Sequence, residues 1–195
     1  MNKLILILIA VTVSCTTGTK KIEEHNHDDL ALHDHDKPSE NTNKNAKSPH
    51  TATMANVGTN HVHIDYSSPR VRGRVIFGGL VAYGEVWSTG AHNATSINFT
   101  QDVVIDEKII KKGKYAFFTI PGKEKWTIIL NTNWDQHLAD EYNIDEDVLR
   151  MEVTPIVSDE IKEELTFTVV SKDDKTGAIR FQWEKVAFEF DIINN

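Results

Sequence analysis

The feature that most constrains the fold is a change of rhythm at His61. From there on, apolar residues recur with a period of two in short runs, and no long stretch carries the 3.6-residue period of an amphipathic helix. His61-Val62-His63-Ile64-Asp65-Tyr66 sets the pattern, with Val62, Ile64 and Tyr66 on one face. The same reasoning predicts strands over Arg70–Phe77, Thr95–Phe99, Val103–Ile105, Lys114–Ile120, Trp126–Leu130, Val148–Val157, Glu164–Val170, Ala178–Trp183 and Val186–Ile192. Turn signals separate them at Lys112-Gly113, Pro121-Gly122, Asn131–Asn133 and Asp173–Gly177. One short helix is predicted, over Asp135–Tyr142. Short strands spaced by roughly 8–12 residues define an all-β chain. The expected architecture is a single antiparallel β-sandwich, jelly-roll or immunoglobulin-like, over residues 61–195. Phe117, Trp126, Ile128, Leu130, Phe181 and Trp183 are the expected filling between its two sheets.

The residues before His61 have a different composition. Lys3 precedes an apolar run, Leu4–Val13, which ends at Ser14-Cys15. The run is shorter than the ~20 residues a membrane-spanning helix needs, and its layout is that of a secretory signal over residues 1–14. Thr12-Val13-Ser14-Cys15 resembles the lipobox of bacterial lipoproteins, although Thr12 stands where leucine is usual. The resemblance implies cleavage before Cys15 and acylation of that residue. Two or more acyl chains anchor a protein stably without a helix. As the only cysteine, Cys15 also leaves the domain without an intrachain disulfide, so its core alone must stabilise it. Residues 15–60 are then a lipidated tether. From residue 16 to residue 60 there is no Trp, Phe or Tyr, and too little apolar surface to offset the entropy of ordering, so disorder is expected.

The tether carries His25, His27, His33 and His35 among Asp28, Asp29, Asp34 and Asp36, a ligand chemistry suited to zinc or copper. It equally suits a solvated linker. His61, His63 and Asp65, at alternate positions of one predicted strand, are a second candidate metal set, with His92 or His137 as a further ligand. An exposed polar strand accounts for them as well.

The formal net charge is −8, most of it in the folded domain. Nucleic acid is therefore excluded as a partner, because its backbone demands a basic surface. Contact with anionic lipid beyond the anchor is disfavoured for the same reason. The exception is Arg70, Arg72 and Arg74, expected on one face of a strand. There they would either clamp an anionic group or pair with the domain's many carboxylates. Directly after them, Gly78–Thr95 fits neither period and holds Gly78, Gly79, Gly84 and Gly90. An ordered, irregular loop on a sandwich is a usual place for a binding site. The candidate ligand-binding set is Arg72 and Arg74 for charge, Tyr83 and Trp87 for stacking, and His92, Asn93 and Thr95 for hydrogen bonds.

The motifs Ser68-Pro69, Arg72-Gly73-Arg74, Ile76-Phe77-Gly78, Leu80-Val81, Tyr83-Gly84, Val86-Trp87, Thr89-Gly90-Ala91 and Ala94-Thr95 together resemble the DUF2911 family. Gly113-Lys114-Tyr115, Phe118–Gly122 and Trp126-Thr127-Ile128 fit the same family. The resemblance covers most of residues 60–190. It implies an all-β domain of the Bacteroidetes cell envelope and no particular activity. The chain departs from the family pattern at Ala82 (usually proline), Ser88 (usually arginine) and His92-Asn93 (usually Asn-Glu).

Three functions follow as expectations. The first is an envelope lipoprotein, outer-membrane in location, whose sandwich is a structural module or one that binds a glycan, peptide or anionic ligand. The second is capture of zinc or copper. The third is an envelope enzyme, which the sequence supports least. It has no Gly-x-Ser-x-Gly elbow, phosphate loop, dinucleotide fingerprint or His-Glu-x-x-His helix. Oligomeric state is left open.

Overall fold

The computed structural model describes residues 47–195. The expected signal, Cys15 and the histidines of the tether (His25, His27, His33, His35) lie outside the described residues. The domain is built from ten strands: β1 (His50–Val57), β2 (Asn60–Ser67), β3 (Ser96–Phe99), β4 (Val103–Ile105), β5 (Lys108–Ile110), β6 (Gly113–Ile120), β7 (Trp126–Asn131), β8 (Asp147–Val153), β9 (Ile156–Ser171) and β10 (Thr176–Asn194). One sheet has the order β1-β2-β3-β6-β7-β8 and the other β5-β4-β10-β9. Every named pairing is antiparallel. The all-β sandwich expected from the periodicity is the fold observed.

The core lies where alternation places it. Val62, Ile64, Phe99, Phe117, Trp126, Ile128 and Leu130 face inward from the six-stranded sheet. Phe167, Ile179, Phe181, Trp183, Phe188 and Ile192 meet them from the other. The six residues expected as filling are all buried. Aromatic rings dominate the interior, in pairs such as Phe181–Phe188 (4.8 Å, stacked) and Phe77–Trp126 (4.9 Å, edge-to-face). Each such pair adds roughly 0.5–1.5 kcal/mol beyond burial. Strand β6 is covered on both faces. Phe117 points into the main core, while Ala116 and Phe118 pack with Ala94 and Ile129 in a second cluster on the outer face. Ala139, Tyr142 and Val86 close that second cluster.

Five features differ from the sequence expectation. The fold takes in His50–Val57, which composition assigns to the tether. Its inward residues are Thr51, Thr53, Ala55 and Val57, too small and polar to register as a hydrophobic face. The β1–β2 hairpin turns on Gly58-Thr59, with Gly at the first central position as a type II′ turn requires. Gly58 has φ +55°, and a Cβ there would lie 2.1 Å from the Asp174 carbonyl oxygen.

Arg70–Phe77 is not a strand. Only its two ends make isolated bridges, Arg70 to Glu164 and Phe77 to Val81, and between them the chain turns through positive φ at Arg72 (50°) and Gly73 (66°). Pro69 cannot donate into a ladder, and Gly73 supplies the turn. Asp135–Tyr142 is not a helix. Leu138 N–H donates to the His92 carbonyl (2.7 Å) and Ala94 N–H to the Gln136 carbonyl (3.0 Å), so the backbone is committed to the neighbouring loop. The helical element among the described residues is a single 3-10 turn, Ile144–Glu146. Finally, Val148–Val157 is broken at Thr154-Pro155, where the chain leaves β8 for β9 in the other sheet. The two strands expected over 178–192 are one, β10, with an irregularity at Glu184 (φ 55°).

Candidate functional site

The excursion from β2 to β3, residues 68–95, folds over one end of the sandwich. Its first part runs beside β9, where Leu165 N–H donates to Pro69 O (3.0 Å) and Val71 N–H to Glu163 O (2.9 Å). A tight loop follows, with Val81 N–H donating to Ile76 O (2.9 Å) and Gly78 N–H to Val81 O (2.8 Å). Trp87 then pairs through its backbone with Thr119 of β6 (2.8 and 2.9 Å). This clamp fixes the Trp87 ring in the aromatic end of the core, stacked on Trp183 at 5.7 Å and edge-on to Phe77 at 6.1 Å. The Trp87 indole N–H donates to the Gly90 carbonyl (3.2 Å), which holds the turn 87–90 closed.

Beside these rings is a pocket of about 350 Å³. Leu80, Val81, Trp87, Trp183 and Leu138 make it mostly apolar, with Arg74 and His92 as its ionisable members. The fold commits much of Arg74 already. Its Nε donates to Val71 O (3.1 Å) and a terminal nitrogen to Arg70 O (2.5 Å), so this guanidinium caps loop carbonyls. Trp183 is 1% exposed, and its indole N–H is one of the few buried polar atoms among the described residues without a hydrogen-bond partner.

A second cleft, of about 260 Å³, lies on the outer face of the six-stranded sheet. His50, Asp65, Asn93, Lys114, Trp134 and Asp135 line it. The register explains the gathering: Asp65 of β2 faces Ser96 of β3, and Lys114 of β6 is one step along. Lys114 Nζ lies 4.1 Å from the centre of the Trp134 ring and 3.8 Å from Asp65 Oδ2.

The loop carrying Trp134 is held by a buried network. Asn131 Nδ2 donates to Asp147 Oδ1 (2.8 Å) and to Asn143 O (2.9 Å). Tyr142 Oη (2.7 Å) and Arg150 (2.8 Å) both donate to Asp147 Oδ2. Burial, and then the Asp147 carboxylate, push the Tyr142 phenol up to about 12.

The residues predicted for a site are divided by this geometry. His92, with φ 63°, lines the apolar pocket, and Asn93, the next residue, lines the polar cleft. Arg74 and Trp87 join His92. Arg72 is exposed and is bound through its backbone N–H to Glu163 Oε1 (2.9 Å). Arg70 forms an ion pair with Glu164, so the three arginines do not share a face. Tyr83 is 40% exposed and packs under Gly78, where an added Cβ would come within 2.8 Å of its ring. Thr95 is wholly buried and donates to the Thr89 carbonyl (3.0 Å), which makes it scaffold.

His61, His63 and Asp65 do project from the outer face of β2 but do not converge. His61 Nδ1 shares a hydrogen bond with Asn56 Oδ1 (2.8 Å), and His63 Nε2 lies 3.2 Å from Asp65 Oδ1. His137 is engaged with Asp140 (2.8 Å). Among the described residues, no three His, Cys, Asp or Glu side chains are grouped to hold a metal ion. Sequence reasoning missed Leu80 and Trp183 of the pocket and His50, Lys114, Trp134 and Asp135 of the cleft. These residues are distant in sequence, and only the strand register brings them together.

The fold and its two clefts define a two-sheet β-sandwich with an elaborated β2–β3 connection. Residues 48–192 match the family described as "Protein of unknown function (DUF2911)", and the chain belongs to that family. No curated protein and no solved structure matches it.

Proposed function

We propose that the protein is a cell-envelope lipoprotein, anchored through Cys15, whose β-sandwich is a binding module. Its site is the pocket beside Trp87 and Trp183, which takes an apolar or aromatic group carrying a hydrogen-bond acceptor. The anchoring half rests on the Leu4–Val13 run and the Ser14-Cys15 junction. The binding half rests on one observation above all. A tryptophan 1% exposed stands at the wall of a mostly apolar pocket with its N–H unpaired. An unpaired buried donor costs about 1–3 kcal/mol, which an acceptor on the ligand would recover. Nearby strain agrees with a functional loop: Thr89 (φ 52°) and His92 (φ 63°) both occupy the left-handed region at non-glycine residues.

The test uses the dye 1-anilinonaphthalene-8-sulfonate, which joins apolar rings to an anionic acceptor. Saturable binding with enhanced dye emission and quenched tryptophan emission is expected. Leu80 is 53% exposed, so Leu80→Asp alters the pocket mouth without disturbing the core. Equal dye binding by the parent and Leu80→Asp would remove the pocket as the site.

A further inference from the structure

The outer-face cleft has a chemistry of its own, independent of the apolar pocket. Its floor is the middle of the six-stranded sheet. β2, β3 and β6 each have a neighbour on both edges. Across that floor no strand edge is free, so a peptide held by strand addition could pair only with the edge strand β1, which meets the cleft at His50 alone. Its lining mixes the apolar surfaces of Trp134 and Ala94 with the charged groups of Asp65, Lys114 and Asp135, so an acyl chain would have to cover charges left without water. Two carboxylates, Asp65 and Asp135, face it, and its ammonium, on Lys114, is shared between Asp65 and the Trp134 ring. An anionic ligand would meet net repulsion. A metal ion lacks three grouped ligands among the described residues.

What remains matches a polyhydroxylated ring. Vicinal hydroxyls are donor and acceptor at once, and Asp65 and Lys114 offer an acceptor and a donor side by side, 3.8 Å apart. The amide of Asn93, exposed at the rim, supplies both. Trp134 is 38% exposed and presents a flat apolar face to the C–H side of a pyranose. Rigid aromatic rings with a wet edge serve such half-polar surfaces well. The geometry points to a binding site for a neutral pyranose sugar in this cleft, with Trp134 as platform, Asp65 and Lys114 on adjacent hydroxyls, and Asn93 at the rim. On binding, the Lys114 ammonium leaves the indole face for a sugar hydroxyl, and the ring's C–H face takes its place.

The full chain is titrated with methyl glycosides of glucose, galactose, mannose and N-acetylglucosamine, and with the linear oligosaccharides of each. Binding is followed by saturation-transfer NMR and by tryptophan emission. At least one sugar is expected to bind in the millimolar range or tighter, with transfer concentrated on the C–H protons of one ring face. Trp134→Ala and Asp65→Asn are each expected to weaken it tenfold or more. Leu80→Asp is expected to leave it unchanged, which separates this site from the apolar pocket. A free sugar as natural ligand predicts equal affinity for monomer and oligomer, and an envelope polysaccharide predicts at least tenfold tighter binding of the oligomer. Absence of transfer from every sugar, or binding indifferent to Trp134→Ala in a variant with the parent's melting temperature, would overturn the assignment.

Discussion

Asp147→Asn tests whether a buried carboxylate positions the loop that carries Trp134. The Asp147 side chain is 4% exposed and uses both oxygens, Oδ1 for Asn131 and Oδ2 for Tyr142 and Arg150. An asparagine has the same shape but only one acceptor oxygen. Whichever way its amide turns, one side becomes donor against donor. If the nitrogen faces Asn131, a buried amide hydrogen there loses its partner. If it faces Tyr142, the phenol can reverse roles, but the Arg150 guanidinium cannot. The orphaned donor costs about 1–3 kcal/mol, and the loss of charge assistance toward Arg150 about 1 kcal/mol more. Arg150 is 36% exposed and can turn to water, which trims the total. The expected loss is about 3 kcal/mol, or roughly 6–12 °C in melting temperature for a domain of this size.

Calorimetry measures that loss, and alkaline titration of tyrosine absorbance supplies an independent readout. A folded-state phenol raised to about 12 contributes stability that is present below its ordinary value of 10 and lost as pH rises through about 12. Burial is the larger cause of that rise and Asp147 the smaller, so the variant's Tyr142 should titrate lower but still above the ordinary value. A loss under about 1 kcal/mol, with the Tyr142 midpoint unmoved, would refute the claim that this carboxylate holds the loop.

Two further outcomes are expected. Arg180, and secondarily Lys172, hold the Glu189 carboxyl below its ordinary value of 4.5. That stability is present above the ordinary value and fades as pH falls through the lowered one. Glu189→Gln should therefore melt below the parent at pH 7 by an amount worth about 0.5–1 kcal/mol, and the gap should narrow and close as pH falls through the lowered value. Cys15→Ala should abolish incorporation of radiolabelled palmitate and shift the protein out of the membrane fraction. Labelling that survives the substitution would disprove anchoring at this residue.

The fold was legible wherever large apolar residues alternate. Val62-Ile64-Tyr66, Tyr115-Phe117-Thr119 and Trp126-Ile128-Leu130 declare a buried face without reference to any partner. It was illegible where small residues occupy that face. Thr51, Thr53 and Ala55 of β1 are inward only because β2 pairs with them. Lys108–Ile110 is a strand only because β4 lies opposite. Asp135–Tyr142 illustrates the reverse failure, since a local preference for helix lost to backbone hydrogen bonds with His92, which accepts from Leu138, and Ala94, which donates to Gln136. The apolar pocket was half visible, through the glycines and aromatics of residues 78–95. The outer-face cleft was not visible as a site: Asp65 and Asn93 stood as candidates for two different sites, and Lys114 and Trp134 are ordinary surface residues until the register of β2, β3 and β6 places all four together.

The way the last strand of the domain is stitched to its first hairpin governs when the domain can form. Asn60, fully buried, accepts from the Thr100 and Gln101 backbones (3.0 and 3.1 Å) and donates to Asn194 Oδ1 (3.1 Å). Asn194 in turn donates to Val57 O (2.6 Å), 137 positions earlier. β10 also supplies the inner strand of the four-stranded sheet, on which both β4 and β9 depend for pairing. A chain emerging N-terminus first can zip the β1–β2 hairpin and the β6–β7–β8 meander early. Half of the aromatic interior has nothing to close against until the last strand is released. Folding thus waits for β10 to emerge, and the slow, non-local closure expected of such topologies falls at that step. Until then the Phe117 and Trp126 faces stay open to solvent, so a chain cut short before β10 would present to chaperones and proteases a half-sandwich in place of a slightly smaller domain.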